Sequence, residues 1–429
     1  MRSKRKHEKG AVSVEKRVAV KGTHDEVRPE IKSTKAKRST GAIAPVLRVL
    51  TGSYEHQLLC LSLAVGVESF ASKKLGDTDE FSESSLRNLF TPIFHFSPHT
   101  ASIRCIAHAK RYLVTGGNDE HIRLYDLQKR KEIGTLMHHE GSVTCLEFVN
   151  SQKDENADQA DAGVSGKWLV SGGEDGKVLI WRTKDWEVLA DMKGHKGAVN
   201  DISVHPSGKI ALSVGRDRTL RLWNLMTAKN ASVMKVGGPE AIQVRWNAAG
   251  DKYAVGSQQK IVVYDMSATI LSTIKLPHPL YKLHYVSLAD RTGSTTEYLV
   301  ISDSTGAIVF RNVSQASEED IPVSFELKAH SARVKDFEFF TRSPPDILIE
   351  DKAEAQPKIT FMCSVSSDGK IVTWNLNTRV PIAIYETNER LNCCTVVAEE
   401  VEKYESRKLS VAEASETEGE LEDGSEDEK

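Results

Sequence analysis

The chain has 429 residues, of which 39% are hydrophobic and 27% are charged, and its formal net charge is −3 at pH 7. This is the composition of a globular protein. Its longest nearly unbroken apolar run, residues 58–67, is far shorter than the roughly 20 residues that span a bilayer. The basic N-terminus has no apolar stretch behind it, so we expect no secretory signal and an intracellular protein.

Residues 1–44 form a basic leader with thirteen Lys or Arg against five Asp or Glu. They lack the aromatic and apolar side chains that bury a core, so we predict a disordered segment. Such a leader indicates nuclear import or contacts with RNA phosphates, and the alternative is a solvated tail without a function. Its two basic clusters contain Lys4, Arg5, Lys6, Lys35, Lys37 and Arg38.

Three short β runs follow the leader, at residues 46–52, 57–65 and 92–96. A repeat with a period of about forty residues comes next, and its clearest copy begins at Gly194. Each copy consists of short β runs that are separated by residues typical of turns.

Four copies of the repeat share four polar or aromatic positions. A Ser or Thr precedes an Asp by four residues, an aromatic residue follows that Asp by six, and a His lies upstream. We expect the Asp of each tight turn to accept hydrogen bonds from backbone amides and the His, while the other two side chains extend the network. The sets are His99, Thr115, Asp119 and Tyr125; His139, Ser171, Asp175 and Trp181; His195, Ser213, Asp217 and Trp223; and His330, Ser364, Asp368 and Trp374.

This pattern resembles that of WD-repeat propellers, a family in which these four side chains are structural. The set His195, Ser213 and Asp217 also has the composition of a catalytic triad, but its recurrence argues against catalysis. The sequence contains no HExxH, GxSxG or GxxxxGK[ST] motif, and the Gly-rich stretch 172–177 is too short for a phosphate loop. We therefore predict that the protein is not an enzyme and has no catalytic residue, cofactor or metal.

Two further copies, at residues 238–265 and 278–310, follow the same frame without a complete polar set. We predict that apolar packing alone holds these two blades. They would then form the softer side of a ring.

The seventh copy has to be assembled from the two ends of the chain. Residues 391–397 align with the first strand of the other copies and would complete a blade with the runs that begin at residue 46. We therefore predict an all-β fold, a seven-bladed WD-repeat β-propeller over residues 45–398, with disordered tails on both sides. Closure by the N- and C-terminal strands pairs edges that would otherwise be exposed.

Several features of the repeats are candidates for contacts with partners. Polar insertions near residues 66–91, 150–166, 312–323 and 341–358 lengthen particular loops. The turn residues Asn118, Glu174 and Arg216 each precede a turn Asp. Long loops on a rigid scaffold are common binding elements, and ordinary surface variation is the alternative for both groups.

The cysteines are expected to be reduced core residues, because they fall mostly within apolar runs and have no CxxC spacing. Neighbouring residues of a strand point to opposite faces, which disfavours a metal site at Cys393 and Cys394. The six residues are Cys60, Cys105, Cys145, Cys363, Cys393 and Cys394.

Residues 399–429 form an acidic tail with thirteen Asp or Glu against four Lys or Arg. We predict that this tail is also disordered. Ser415, Thr417 and Ser425 lie among acidic residues, a context that suits acidophilic kinases.

Two stretches carry a more specific resemblance than the repeat does. Residues 49–63, VLTGSYEHQLLCLSL, and residues 112–136, YLVTGGNDEHIRLYDLQKRKEIGTL, are similar to the p21-activated-kinase-interacting WD-repeat proteins. The resemblance covers about residues 46–398. The basic leader and the acidic tail depart from that family, whose members begin close to the first strand and end in a lysine-rich tail.

The resemblance implies a non-catalytic scaffold, since fungal members of this family are nucleolar assembly factors for the large ribosomal subunit. It implies preribosomal proteins as partners, with rRNA as a further one, and a location in the nucleus and nucleolus. The same family also implies an alternative, a negative regulator that binds a p21-activated protein kinase. We expect no membrane and no small-molecule substrate. An adaptor for a ubiquitin ligase or chromatin would need a helical partner module, and the sequence shows no long amphipathic helical stretch.

Overall fold

The described part of the protein, in a computed structural model, comprises residues 46–65, 89–149, 166–289, 294–315, 320–342 and 358–401. Within these ranges the chain forms β-strands and two short 3-10 turns, Val313–Gln315 and Glu399–Val401. No helix in these ranges is long and apolar enough to cross a membrane.

The strands are named in chain order. They are β1 Val46–Ser53, β2 Leu58–Ala64, β3 Phe90–Phe96, β4 Ile103–Ala109, β5 Tyr112–Gly117, β6 Ile122–Asp126, β7 Lys131–Leu136, β8 Val143–Phe148, β9 Trp168–Gly173, β10 Val178–Arg182, β11 Glu187–Met192, β12 Val199–Val204, β13 Ile210–Gly215, β14 Thr219–Asn224, β15 Lys229–Lys235, β16 Ala241–Trp246, β17 Lys252–Ser257, β18 Lys260–Asp265, β19 Ile270–Lys275, β20 Lys282–Ala289, β21 Thr295–Ser302, β22 Ala307–Asn312, β23 Val323–Lys328, β24 Val334–Arg342, β25 Ile359–Ser366, β26 Lys370–Asn375, β27 Val380–Glu386 and β28 Leu391–Ala398.

The strands form seven antiparallel sheets of four strands each, which confirms the predicted seven-bladed propeller. Blade 1 has the order β28-β1-β2-β3, and blades 2 to 7 take the remaining strands four at a time in chain order. In blade 1, Leu50 of β1 lies opposite Thr395 of β28 and Cys60 of β2. The two ends of the propeller therefore share one sheet, as the alignment of residues 391–397 predicted.

The inner strands of each blade are buried on both faces, because each blade is packed between two others. In blade 3 the second strand, β9, has the burial pattern of a core strand, whereas the outermost strand β11 alternates with solvent. A strand buried on both faces reads as an apolar run and not as an alternating one. This explains why the second runs of the repeats, such as LVSGG at residues 169–173, are so apolar.

Seven apolar clusters hold the ring together, and each bridges one pair of adjacent blades. Between blades 1 and 2, for example, Leu50 and Cys60 pack with Ile103, Leu113 and Tyr125. The first strands contact one another around the centre, and β28 completes the circle because it contacts both β24 and β4. The core of the protein is therefore a set of seams and not a single centre.

The six cysteines are free thiols, five of them buried and Cys105 partly buried. Burial raises the pKa of Cys105 to about 12. A buried thiol of this kind is protonated and unreactive at neutral pH. Their positions within the apolar seams agree with the core role that the sequence predicted.

The described chain continues past the predicted boundary at residue 398 into the turn Glu399–Val401. Arg48 Nη2 lies 2.9 Å from Glu399 Oε1 and ties this turn to β1. The predicted basic leader, residues 1–44, and residues 402–429 of the predicted acidic tail at 399–429 lie outside the described ranges, as do the basic clusters and the acidic phosphorylation contexts. Of the predicted insertions, residues 66–88, 150–165, 316–319 and 343–357 also lie outside them.

Candidate functional site: polar turns and the central channel

The third tetrad, in blade 4, is a continuous chain of hydrogen bonds. His195 Nδ1 lies 3.1 Å from both carboxylate oxygens of Asp217, and His195 Nε2 lies 2.7 Å from Ser213 Oγ. Trp223 Nε1 donates to the same Oγ at 2.7 Å. A carboxylate can only accept, so the imidazole proton lies on Nδ1 and the Ser213 hydroxyl donates to Nε2.

Each tetrad Asp fastens the turn in which it lies to the preceding loop. Asp217 accepts the backbone N–H of Lys196 at 2.9 Å and that of Thr219 at 3.1 Å. Burial alone would raise the pKa of Asp217, but the N–H of Lys196, the hydroxyl of Thr219 and the imidazole of His195 lower it to about 2. The carboxylate is thus fully ionised at neutral pH and bound from several sides.

The other three tetrads repeat this geometry with one exception. The distances from His Nε2 to the hydroxyl oxygen are 2.8 Å in blades 2 and 3 and 2.9 Å in blade 7. The indoles of Trp181 and Trp374 donate to Ser171 and Ser364 at 2.8 and 3.0 Å. In blade 2 the indole is replaced by Tyr125, a phenol buried against Phe96 of blade 1 with 5.9 Å between ring centroids.

The burial of these side chains is unsuited to catalysis. Ser213 is 0% exposed, and its oxygen is held between an imidazole and an indole. A nucleophile has to reach a substrate carbon, and this hydroxyl cannot. The structure therefore links fifteen of the sixteen predicted residues in hydrogen-bonded networks that lock the turns, whereas Tyr125 of blade 2 adjoins its network by packing.

Blades 1, 5 and 6 have no tetrad, and blades 5 and 6, the two predicted to be held by apolar packing, carry stacked aromatic rings in its place. In blade 5, Tyr253 stacks on Tyr264 with 5.2 Å between centroids, and in blade 6 Phe310 stacks on Phe325 at 4.3 Å. Apolar packing is not their only support, however. Arg245 of blade 5 pairs with a carboxylate of blade 4 and Lys282 of blade 6 with one of blade 7, so the prediction of apolar packing alone is wrong.

Those ion pairs belong to a central channel that sequence reasoning missed. The first strands surround a cavity of about 540 Å³ whose wall includes charged side chains from four of the seven blades, blades 3, 5, 6 and 7. Arg245 Nη1 lies 2.6 Å from Asp201 Oδ2, and Lys282 Nζ lies 2.6 Å from Asp336 Oδ1. The polar wall residues include His108, Glu147, Ser203, His205, Arg245, Asn247, Lys282, His284, Asp336, Glu338 and Thr395.

Burial perturbs most of the titratable groups in the channel wall. Burial raises the pKa of Glu147 and of Glu338 to about 7 and lowers the pKa of His108 and of His284 to about 4. Burial alone would also lower the pKa of Arg245, but the carboxylates of Asp201 and Glu147 raise it. At pH 7 the wall thus carries the cations Arg245 and Lys282, the neutral imidazoles of His108 and His284, and the partly protonated carboxyls of Glu147 and Glu338.

Side chains of the inner strands also fasten each blade to the next. The described residues provide at least one such bond at every one of the seven seams. The bonds are Cys105 Sγ to Val143 O at 3.7 Å, Thr144 Oγ1 to Val199 O at 2.6 Å, Val244 N to Asp201 Oδ2 at 3.0 Å, Leu283 N to Gln243 Oε1 at 2.5 Å, Ser302 Oγ to Val334 O at 3.1 Å, Cys394 N to Asp336 Oδ2 at 3.1 Å and Asn392 Nδ2 to Ile103 O at 2.9 Å. A signal for them existed, since polar residues interrupt the apolar first runs, as in Val199-Asn200-Asp201-Ile202-Ser203.

Two of the three predicted contact residues of the turns, Glu174 and Arg216, lie at the seams as well. Asn118 Nδ2 donates to Ser102 Oγ at 2.7 Å within blade 2. Glu174 of blade 3 pairs with Arg104 of blade 2 at 2.9 Å, and Arg216 Nε lies 3.7 Å from Glu240 of the next blade. Within the described ranges, no group of three or more His, Cys, Asp or Glu side chains is arranged to hold a metal.

The repeat geometry and the tetrads define a WD-repeat protein. The family model "WD domain, G-beta repeat" matches residues 90–126, 161–182 and 186–224. The matches include β3 of blade 1, β4 to β6 of blade 2, β9 to β11 of blade 3 and β12 to β14 of blade 4.

Comparison with characterised proteins places the chain more closely. It is 38% identical over 385 residues to Protein MAK11 of Saccharomyces cerevisiae, covering 85% of this chain and 86% of that protein. It is 34% identical to the p21-activated protein kinase-interacting protein 1-like of Gallus gallus, covering 71% and 73%, and 33% identical to p21-activated protein kinase-interacting protein 1 of Homo sapiens, covering 72% and 69%. The chain belongs to the WD-repeat family that contains MAK11 and the p21-activated protein kinase-interacting proteins.

Proposed function

We propose that this chain is a non-catalytic WD-repeat scaffold that acts in assembly of the large ribosomal subunit, through rRNA processing and maturation of pre-60S particles in the nucleolus. The observation that carries the proposal is the similarity to MAK11, which extends over 86% of that protein. The family resemblance implied an assembly role for the fungal members, to which MAK11 belongs. A similarity of this extent includes the propeller as a whole. It therefore includes the surfaces that could bind partners as well as the residues that form the fold.

The architecture supports a stoichiometric binding role. The buried tetrads lock four turns, and side-chain hydrogen bonds cross all seven seams. A scaffold that is rigid before binding loses less conformational entropy when a partner docks. Such a protein can hold other components in place without any chemistry of its own.

The proposal is tested by fractionating nuclear extract on a sucrose gradient. A tagged copy should co-migrate with precursors of the large subunit, and depletion should reduce mature large subunits and change the rRNA precursors. The control is the full-length chain with Ser213→Ala and Ser364→Ala. These two changes destabilise buried tetrads and leave the surface side chains unchanged. Free migration of the tagged protein together with unchanged rRNA precursors after depletion would contradict the assembly role.

A second candidate function is the regulation of a p21-activated protein kinase by direct binding. The names of the vertebrate relatives and of the Shk1 kinase-binding protein 15 of Schizosaccharomyces pombe, 23% identical over 77% of this chain, favour it. Titration of a purified p21-activated kinase with the purified chain would reveal binding and reduced kinase activity. Kinase activity that is independent of the chain would exclude this role and leave the assembly role untouched.

We further propose that the basic clusters of the leader direct nuclear import or contact rRNA. The charge of residues 1–44, thirteen cations against five anions, supports the proposal. Neutralising Lys4, Arg5 and Lys6 to Gln in a fluorescent fusion should shift the protein from nucleus to cytoplasm. Unchanged nuclear and nucleolar fluorescence after neutralising both clusters would contradict the import role.

A further inference from the structure

The first strands carry a β-bulge at the same position in six blades. Each bulge adds one residue between two paired positions near the beginning of the strand. A bulge redirects the side chain of the extra residue away from the regular sheet face. The extra residues are Arg104, Thr144, Asn200, Ile242, Lys335 and Asn392.

Three of these residues share one structural use. Thr144, Asn200 and Asn392 each donate to a backbone carbonyl of the next blade, at 2.6, 2.7 and 2.9 Å. Arg104 and Lys335 occupy the same position without such a bond. They belong to blades 2 and 7, which flank blade 1 on its two sides.

Lys335 is a half-buried cation that makes no ion pair with any described residue. Burial and the positive charges of Arg333 and Arg104 lower its pKa, which means that these three cations act on one another. Tyr281, just before the first strand of blade 6, receives Lys335 at 5.0 Å and Arg333 at 5.8 Å from its ring centroid. The four residues Arg104, Tyr281, Arg333 and Lys335 are called the cationic mouth below.

The protein itself compensates this charge only in part. Arg104 pairs with Glu174 at 2.9 Å, but both side chains are about 40% exposed, at 41% and 38%. An exposed ion pair of this kind is weak and can exchange partners. Arg333 Nε bonds to the neutral hydroxyl of Ser367 at 3.2 Å. A partly buried ammonium without a counter-ion is unfavourable unless an anion binds to it.

We infer that the cationic mouth binds an anionic side chain, a carboxylate or a phosphomonoester, from an acidic segment of a protein partner. Lys335, Arg333 and Arg104 are its donors, and charge-assisted hydrogen bonds to such a group are among the stronger ones in proteins. This inference names a partner chemistry for the proposed scaffold role and rests on it.

The surroundings of the mouth favour a protein segment over RNA. Single-stranded RNA is held along an extended positive track with free aromatic faces for stacking. Here Tyr281 is already covered by two cations, and the equivalent bulge residues across the ring, Thr144, Asn200 and Ile242, are uncharged. The positive charge is therefore local, as a single anionic side chain requires.

Binding to short labelled peptides tests the inference by fluorescence anisotropy with the purified full-length chain. Three peptide probes of equal length and otherwise identical sequence carry phosphoserine, aspartate or glutamine at one position. A single-stranded RNA oligonucleotide is the fourth probe. We expect the acidic probes to bind and Lys335→Gln and Arg333→Gln each to weaken them about tenfold. Lys328→Gln, which removes an exposed lysine with 70% exposure from blade 6, should change binding less than about twofold.

The thermal midpoint of Lys335→Gln separates a binding role from a structural one. Because Lys335 has no counter-ion in the described protein, its neutralisation should leave the midpoint unchanged or raise it. Tighter binding of phosphoserine or of aspartate identifies which anion the mouth prefers, and either result supports the inference.

Three results would overturn it: equal losses of affinity in Lys335→Gln and Lys328→Gln, no binding of acidic probes above the glutamine probe, or Lys335-dependent binding of RNA tighter than of any peptide. If one of these results is obtained, co-migration of the unchanged protein with preribosomal particles would show that the scaffold role survives the failure of this inference.

Discussion

The buried serine of the tetrads in blades 3, 4 and 7 bonds to two other polar groups at once. Ser213 Oγ donates to His195 and accepts from Trp223, and none of these groups has access to water. Ser213→Ala leaves a buried indole N–H and an imidazole nitrogen without partners, which should cost ~1–3 kcal/mol of the free energy of unfolding. Chemical denaturation measures this loss.

Ser207→Ala is the matched control for this change. Ser207 is an exposed turn residue of the same blade that bonds to His205, and its removal should cost less than ~0.5 kcal/mol. Equal losses for Ser207→Ala and Ser213→Ala would show that the tetrad does not stabilise the blade beyond an ordinary surface hydroxyl.

The tetrad carboxylates predict a stability that falls in acid. Burial alone would raise the pKa of Asp175 above 3.8. Hydrogen bonds from His139 and from the N–H groups of Glu140 and Lys177 outweigh burial and lower the pKa to about 2. Because the folded pKa is below the unfolded one, this contribution is complete above about pH 4 and is lost as the pH falls toward 2. Asp175→Asn should therefore lower the thermal midpoint at pH 7 and show a smaller further decrease between pH 4 and 2 than the unchanged protein. Parallel curves for both proteins would contradict the assignment.

The channel carboxylate Glu338 predicts the opposite dependence. Burial raises its pKa to about 7, although Thr395 and the N–H of Val396 favour the charged form. Its other neighbours are Asp336, Lys282 and His108, whose Nδ1 lies 4.0 Å away. Since the folded pKa exceeds the ordinary value of 4.5, stability is lost as the pH rises from about 4.5 through 7.

Glu338→Gln keeps an oxygen for the Val396 N–H and removes the charge. Its thermal midpoint should match the unchanged protein near pH 5 and exceed it at pH 8. Glu326→Gln, at a side chain with 42% exposure, should show no such pH-dependent gain. A midpoint lowered at pH 8 would mean that the charge of Glu338 stabilises the channel through Lys282.

At the scale of the blade, the tetrads distinguish four elements from the others. Blades 5 and 6 lack the network, and stacked aromatic rings and channel ion pairs take its place. If a tetrad contributes ~1–3 kcal/mol to local stability, a blade without one should have a population of locally open states that is roughly tenfold or more higher.

Hydrogen exchange should therefore be faster in blades 5 and 6 than in blades 3 and 4. We expect the amides of β17 and β21 to exchange about tenfold faster than those of β9 and β13, when measured by mass spectrometry of peptic fragments. Ser171→Ala and Ser213→Ala should reduce the difference. Uniform exchange across all the blades would show that the seams, and not the tetrads, set local stability.

For the whole molecule, closure of the ring depends on β28. This strand buries Leu391, Cys393, Cys394, Val396 and Val397 between blades 7 and 2. At about 1.5–3 kcal/mol for each large apolar side chain, their burial is comparable with the about 5–15 kcal/mol of net stability of a typical protein.

A chain that ends at Glu386 should consequently fail to fold cooperatively and should aggregate through the exposed edge of β1. A chain that ends at Val401 keeps β28 and the contact of Arg48 with Glu399, and its thermal midpoint should stay within a few degrees of the full-length value. Size-exclusion chromatography and calorimetry compare the two. A cooperative transition for the shorter chain would mean that six blades suffice.

Local sequence patterns determine much of the fold of this protein. A blade is a local unit, so turn signals and apolar runs identify its strands, and the spacing from Ser213 to Asp217 to Trp223 repeats because all three lie within one sheet. The alignment of residues 391–397 with other first strands was enough to predict closure.

The channel and the cationic mouth depended on the tertiary structure. Asp201 and Arg245 are 44 residues apart, and Arg104 and Lys335 belong to blades 2 and 7, which lie on either side of blade 1 only when the ring closes. A charged residue within an apolar run shows from sequence only that some partner is needed. Which partner it finds is decided by the curvature of the ring, because the curvature sets which first strands face one another across the centre.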